Sequence, residues 1–242
     1  MDTLSGMSIE LPRFQPPTDP RPDDAPWPQM TWPPASRTAL SGSTVTLRPY
    51  TRDDATELFH ALDEPQVWAL LGPRPRSVEQ LAEHIEARAQ DRATWVVRLL
   101  TRVGDLSAGS VVGSTAFLDV STYDARLEIG STSYSPAVWG TRVNPEAKLL
   151  LLAYAFDVLG VGRVQLKTDV RNTRSQQAIA RLGATYEGTL RRYQRRADGT
   201  VRDTVLFSIT ADEWPACRER LEQRLSGNQD GAPGTSSGAA AL

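Results

Sequence analysis

The sequence contains a single cysteine, Cys217, in 242 residues. One thiol excludes an internal disulfide framework and every zinc site built from several cysteines. Long hydrophobic runs are also lacking, since the longest, Leu149 to Phe156, ends at Asp157 and is far too short to cross a bilayer. The first residues carry acidic side chains and no apolar core, unlike a signal peptide. We therefore expect a soluble, cytoplasmic protein with no membrane partner and no metal site.

An excess of charge of one sign is absent as well. The chain has 27 basic and 29 acidic residues, for a net charge of −2. This balance excludes the whole-chain basic field of a nucleic-acid-binding protein. Lysine is scarce, with 2 lysines against 25 arginines, a ratio that we attribute to codon bias and not to binding.

The distribution of proline and glycine predicts one domain with two tails. Nine of the 17 prolines lie between Pro12 and Pro34, and proline removes backbone donors and fixes φ. Residues 1–39 are therefore predicted to be an extended, mobile arm, with Trp27 and Trp32 packed loosely on the domain edge. Residues 226–242 are rich in Gly, Ser and Ala and are predicted to be a flexible tail. The domain spans residues 40–225.

Within the domain, the hydrophobic periodicity changes repeatedly between that of strands and that of helices. The predicted order is β-α-α-β-β-β-α-β-α-β-β-α, which indicates an α/β (α+β) fold with a mixed, mostly antiparallel sheet covered by helices. The predicted strands cover 45–48, 95–103, 110–120, 126–134, 164–170, 185–195 and 201–209, and the predicted helices cover 52–62, 77–90, 146–159, 173–182 and 211–225.

One segment, from Tyr134 to Leu159, has the pattern of an anion site. A strand ends, a short loop follows, and a long helix begins with Asn144 as the predicted N-cap. The exposed N–H groups and the dipole at a helix start attract anions. The alternative is a plain strand-to-helix turn. The loop that could wrap a diphosphate consists of Trp139, Gly140, Thr141, Arg142, Val143 and Asn144, with Arg142 adding positive charge.

A second segment runs from Asp169 to Ala184. A strand ends, Asn172 stands at the junction, and an amphipathic helix stops at Gly183. Taken singly, Asn172 could be only a helix cap and Ser175 only a polar residue in the first turn.

Together, the two segments resemble the GNAT family of acyl-CoA N-acyltransferases, in its RimJ/RimL-like branch. The resemblance covers about residues 40–225 and implies a GNAT-like sheet of about seven strands flanked by helices, with acetyl-CoA as cosubstrate and no metal. It is carried by Val45-Thr-Leu-Arg48-Pro, Leu127-Glu-Ile-Gly130, Trp139-Gly140, Glu146-Ala147, Asn172-x-x-Ser175, Arg181-Leu-Gly183-Ala, Glu187-Gly188 and Asp198-Gly-Thr-Val-Arg-Asp203.

The sequence departs from the family at the loop, which usually reads Gln/Arg-x-x-Gly-x-Gly/Ala. Trp139, Arg142 and Asn144 stand in the three specified places. The loop can still offer the backbone N–H groups of residues 141–144. Many members also carry a tyrosine where this chain has Ile179, and the resemblance then gives Ser175 the role of protonating the leaving thiolate.

The resemblance implies that Glu128 is the general base, acting directly or through a water. The alternative for Glu128 is a carboxylate on the solvent side of an alternating strand. Asn172 would bind the pantetheine arm or orient Ser175. Backbone N–H groups would meet the oxyanion where the strand of Glu128 and the next strand splay apart.

The predicted function is N-acetyl transfer from acetyl-CoA to a primary amine by direct attack in a ternary complex. The acceptor is a small-molecule amine or a peptide, such as a protein N-terminus. The alternatives are a non-catalytic CoA-binding sensor or scaffold and an unrelated nucleotide-binding domain, although the sequence lacks a Walker lysine and a Gly-x-Gly-x-x-Gly turn. A homodimer through the C-terminal hairpin is possible. The hairpin arginines could attract an acidic acceptor or simply form a solvated edge; they are Arg191, Arg192, Arg195, Arg196 and Arg202.

Overall fold

The fold is built on one sheet of eight strands with the order β1-β2-β3-β4-β5-β6-β8-β7. The computed structural model describes residues 15–16, 18, 27–34, 38–89 and 92–227. Within them, the strands are β1 (Leu40–Ser41), β2 (Val45–Pro49), β3 (Ala93–Leu99), β4 (Val111–Ser121), β5 (Arg126–Tyr134), β6 (Arg163–Asp169), β7 (Thr185–Arg195) and β8 (Val201–Thr210). The helices are α1 (Ala55–Leu62), α2 (Pro65–Trp68), α3 (Val78–Glu86), α4 (Val143–Ala153), α5 (Thr173–Ala180) and α6 (Trp214–Gly227), and a π-helical turn, Tyr154–Val158, extends α4.

The predicted fold class is confirmed, with two additional elements. Neighbouring strands pair antiparallel throughout except β5 and β6, which are parallel. The two-residue β1 and the four-residue α2 were not predicted from the sequence, because elements this short carry no periodic signal. The Asp198–Gly199 turn joins β7 to β8 as expected, with Gly199 at φ +84°.

Helices cover both faces of the sheet, and the alternation of strand residues shows which face each residue occupies. The buried apolar side chains form two clusters, one larger than the other. Val96 lies in the smaller cluster with apolar residues of α1–α3, while Trp95 and Val97 lie in the larger cluster. Successive strand residues point to opposite faces. The larger cluster also contains side chains of α4, α5 and α6, among them Leu151, Leu182 and Leu221. Helices α1–α3 therefore cover one face, and α4–α6 cover the other.

Strand β5 has two irregularities that shape the centre of the sheet. Its parallel pairing with β6 covers only Arg126–Glu128 against Arg163–Gln165, so the two strands separate beyond that point. This agrees with the predicted splay. In addition, Ser131 has φ +46°, and the β4–β5 register shifts beside it. A regular strand over 126–134 would place Ser131 on the same face as Leu127 and Ile129, and this expected alternation is wrong because a β-bulge interrupts it.

The prediction of Asn144 as the N-cap of α4 is also wrong. The helix already includes Val143, the residue before Asn144. The amide of Val143 donates to the Thr141 hydroxyl (3.3 Å). Asn144 lies in the first turn. Glu146 is buried, and its carboxylate accepts backbone N–H groups of Ser43 and Thr44, which ties α4 to the β1–β2 turn.

The described part of the predicted arm packs on the domain. Trp32 is half-buried against the larger cluster, the amide of Thr31 donates to the carbonyl of Leu159 (2.8 Å), and Trp27 is 55% exposed. The rest of the arm (1–14, 17, 19–26 and 35–37), residue 90 at the predicted end of the second helix, and residues 228–242 of the predicted tail lie outside the described residues. Among the helices of the described residues, none has the length and apolar character to cross a membrane.

Candidate active site

Glu128 is buried at the point where β5 and β6 separate. Leu127 and Ile129 belong to the larger core cluster, so Glu128 points to the α1–α3 face. Its side chain is 8% exposed, and Oε2 lies 2.7 Å from Nζ of Lys167. Gly130 leaves room for the carboxylate, since a Cβ there would lie 2.6 Å from Oε1. The carboxylate is therefore held in a fixed place away from bulk solvent.

Charged groups from three other strands act on this carboxylate. Burial raises the pKa of Glu128, because a buried carboxylate loses hydration. Lys167 on β6 opposes this by hydrogen bonding and by its charge, Asp119 on β4 raises the pKa further, and Arg202 on β8 lowers it. The net effect is a raised pKa, which suits a group that must accept a proton near neutral pH.

Lys167 bridges two carboxylates. Its Nζ lies 2.7 Å from Glu128 and 3.3 Å from Oδ2 of Asp119, and 5.6 Å from the ring centroid of Tyr193 on the hairpin. Burial lowers the pKa of Lys167, but the hydrogen bond and charge of Glu128 outweigh burial, so the pKa is raised overall. Lys167 is therefore a cation that spans the gap between β6 and β5.

The second lysine of the chain, Lys148 on α4, has a buried side-chain amine near the bulge of β5. Its Nζ donates to the hydroxyls of Thr132 (2.7 Å) and Thr115 (3.3 Å). Burial lowers the pKa of Lys148 to about 7, with the charge of Glu128 opposing that fall. The Glu128 carboxylate thus acts electrostatically on both lysines of this arginine-rich chain. No local pattern in the sequence signals this arrangement, because the two lysines and Glu128 lie on three different elements of the fold.

The loop before α4 presents backbone N–H donors that have no acceptor in the described residues. Gly140 has φ +76°, and a Cβ there would meet no atom within 4 Å. The amide of Thr141 donates to the Val138 carbonyl (3.4 Å), and the Thr141 hydroxyl accepts from Val143. Within the described part of the chain, the amides of Arg142 and Asn144 have no acceptor. Of the four predicted donors, these two remain available at the start of α4.

The Arg142 side chain points elsewhere. Its Nη2 donates to the carbonyl of Leu225 in α6 (2.9 Å), so Arg142 contributes its amide, and not its guanidinium, to the loop. A different cation stands at the loop. Arg174 on α5 stacks on Trp139, with 3.4 Å from its guanidinium carbon to the ring centroid. Sequence reasoning missed Arg174, because its contact with Trp139 joins segments 35 residues apart.

The Arg174–Trp139 contact brings the two predicted motifs together. Asn172 caps α5, since its Oδ1 accepts the amide of Ser175 (3.0 Å). Asn172 therefore fixes the backbone of Ser175, while the Ser175 hydroxyl has no partner among the residues that the structure describes. The starts of α4 and α5 thus lie together with the Arg174 guanidinium and the free Ser175 hydroxyl. This arrangement can bind an anion and supply a proton.

The hairpin arginines have separate environments and do not act as one patch. Arg196 forms an ion pair with the buried Asp169 at the end of β6 (2.6 Å). Arg202 is half-buried and faces Glu128 and Asp169; burial lowers its pKa. Arg191 and Arg195 are exposed. In the described residues, no group of three or more His, Cys, Asp or Glu side chains could hold a metal ion.

Comparison with known proteins points to one family. Residues 44–185 match the acetyltransferase (GNAT) domain family. An uncharacterised N-acetyltransferase, p20, from Bacillus licheniformis is 26% identical over 178 residues, which cover 70% of this chain and 94% of the relative. The crystal structure of a putative acetyltransferase from T. thermophilus is 35% identical, covers 81% of this chain and 100% of its own, and gives a TM-score of 0.70.

A further neighbour is Mycobacterium smegmatis RimJ, solved in complex with CoA-disulfide. It is 23% identical, covers 78% of this chain and 93% of its own, and has a TM-score of 0.63, a likeness that establishes the fold alone. The family match spans more than half of the sequence and includes Glu128, the loop before α4 and the start of α5. The chain therefore belongs to the GNAT family of N-acetyltransferases.

Proposed function

We propose that this protein transfers an acetyl group from acetyl-CoA to a primary amine by direct attack in a ternary complex. The observation that carries the proposal is the position of Glu128, a buried carboxylate at the point where β5 and β6 separate. A base must lie within hydrogen-bond reach of the proton that it takes. Direct attack needs no covalent enzyme intermediate, and the lone Cys217, buried in α6, is not required.

The cosubstrate is proposed to bind along Trp139, Gly140, Thr141, Arg142, Val143 and Asn144, with Asn172 beside its pantetheine arm. The free amides of Arg142 and Asn144 and the open space at Gly140 fit a diphosphate. Arg174 adds the positive charge first assigned to the Arg142 side chain. Acetyl-CoA, when bound, supplies the thioester carbonyl that the amine attacks.

In this mechanism, each step is assigned to a residue of the chain. Glu128 takes the proton of the acceptor amine, directly or through a water. Backbone N–H groups of β5, exposed where it leaves β6, face the negative charge that develops on the carbonyl oxygen. Ser175, fixed by Asn172, gives a proton to the leaving thiolate.

The acceptor is proposed to be a small-molecule amine or a protein N-terminal amine, in keeping with the RimJ/RimL-like branch. It would approach on the α1–α3 face, where Glu128 lies, beside Tyr193 and the β7–β8 hairpin. We further propose a cytoplasmic protein with its domain over 40–225 and a homodimer through that hairpin.

The experiment is release of CoA thiol in the presence of a panel of primary amines and N-terminal peptides. We expect release with at least one amine, and a loss of release in Glu128→Gln. Glu187→Gln is the matched control, because Glu187 lies on the edge strand β7 and pairs with Arg163 instead of Lys167. Binding of acetyl-CoA without thiol release for any amine would favour the sensor or scaffold alternative.

A further inference from the structure

We infer that Lys167 is an acetylation site of this protein, modified by the protein's own active site. This inference rests on the proposed function. An attacking amine must lie within hydrogen-bond reach of the base. The amine in that place is Nζ of Lys167, which lies 2.7 Å from Oε2 of Glu128.

The surroundings of Lys167 are those of a bound acceptor. Its ammonium lies between the carboxylates of Glu128 and Asp119, and the Tyr193 ring lies 5.6 Å away. Carboxylates and an aromatic face are the groups that recognise a primary ammonium. Gln165 donates to Asp119 at 2.7 Å and helps to hold it there. The chain's own side chain thus occupies the position that an external amine would take.

The backbone directs this amine to the gap between the strands. Pairing of β5 with β6 ends at Gln165, and Lys167 follows two residues later on the same face. Its side chain reaches from β6 to β5 across the gap and is 14% exposed. Because the amine belongs to the same molecule that would bind the thioester, it attacks at a high effective concentration.

The chemical step balances without a further reactant. The Lys167 ammonium gives one proton to Glu128, and the free amine attacks the thioester carbonyl. A C–N bond forms, the C–S bond breaks, and the amide nitrogen loses a second proton. One proton protonates the CoA thiolate and the other goes to solvent. The products are acetyl-Lys167 and free CoA.

The other lysine provides an internal comparison. Nζ of Lys148 donates to two threonine hydroxyls in the core, and Lys148 is 5% exposed. It contacts no carboxylate in the described residues. With only two lysines in the sequence, a single digest separates acetylation directed by the site from general reaction of lysine amines.

The test is incubation of the full chain with acetyl-CoA and no acceptor, followed by intact mass measurement and peptide mapping. We expect one acetyl group at Lys167 and none at Lys148. The rate should not depend on protein concentration, as expected for a reaction within one molecule. It should fall at least about tenfold in Glu128→Gln, and Lys167→Arg should take up no acetyl group at this position.

Acetylation of the wild-type chain unfolded in urea gives the rate of direct chemical reaction with acetyl-CoA. Comparison of the folded with the unfolded wild type therefore tests the inference even if a variant does not fold. Equal rates of Lys167 acetylation in folded and unfolded chain would overturn the inference. Acetylation of an external amine with none at Lys167 would overturn it and leave the proposed function standing. If neither amine is acetylated, both the inference and the proposed function fail.

Discussion

Lys148→Met should change the stability of the protein in a pH-dependent way. Methionine has nearly the same length as lysine but carries no charge, so the substitution removes a buried ammonium and leaves most of the packing in place. It also removes the hydrogen bonds to Thr132 and Thr115, a loss that does not depend on pH. The dependence on pH therefore isolates the charge.

The magnitude follows from the pKa of Lys148, which burial lowers from 10.5 to about 7. Between these values the unfolded chain binds more protons than the folded one, so the stability of the wild type rises with pH in this range. The cost of the buried charge is about 4 kcal/mol near pH 7 and about 2 kcal/mol near pH 9. From pH 7 to pH 9, the free energy of unfolding of the Met variant should therefore fall by about 2 kcal/mol relative to that of the wild type.

The assay is urea unfolding followed by tryptophan fluorescence at several pH values from about 7 to about 9. Arg218→Met is the control. The hydrogen bond to Glu222 raises the pKa of Arg218 in the folded state, so its contribution is fully present below the unfolded value and its difference from wild type should stay flat in this range. A flat difference for Lys148→Met as well would refute the claim that its ammonium is buried at a cost.

Other consequences concern the site and its support. Gly130→Ala should lower turnover at least about tenfold in the thiol-release assay, since its Cβ would displace the Glu128 carboxylate; unchanged turnover would contradict the assigned geometry. Arg174→Ala should weaken acetyl-CoA binding about tenfold, as measured by calorimetry. Arg142→Ala should mainly reduce thermal stability, because the Arg142 side chain binds α6. Weaker acetyl-CoA binding in Arg142→Ala but not in Arg174→Ala would remove Arg174 from the site. Asp169→Asn should lower the midpoint of thermal unfolding, because the Asp169 carboxylate loses the charge that pairs with Arg196 of the hairpin; an unchanged midpoint would show that this pair does not stabilise the fold.

Much of the architecture follows from local patterns. Val45 and Leu47 alternate as buried strand residues should, the Ser77 side chain accepts the amide of Gln80 at the start of α3, and Gly183 with φ +93° follows the end of α5. Each of these signals is complete within a few residues, so the sequence alone predicts it.

The parts that the sequence did not predict depend on partners far along the chain. The bulge at Ser131 exists only because β4 pairs with β5 in a shifted register. The contact of Arg174 with Trp139 and the ion pair of Lys167 with Glu128 join different elements of the fold. Residue type shows what each group can do, but its partner is fixed by the topology of the sheet.

The pH dependence of kcat/KM for acetyl transfer, in wild type and Glu128→Gln, tests the account most directly. The wild-type profile should fall on the acid side, as Glu128 becomes protonated, at a pH above the usual carboxylate range, because burial raises the pKa of Glu128. In Glu128→Gln, kcat/KM should be about a hundredfold lower and should no longer fall on the acid side, while acetyl-CoA binds about as well as it does to the wild type. The same acid limb in both proteins, or equal rates, would contradict Glu128 as the base.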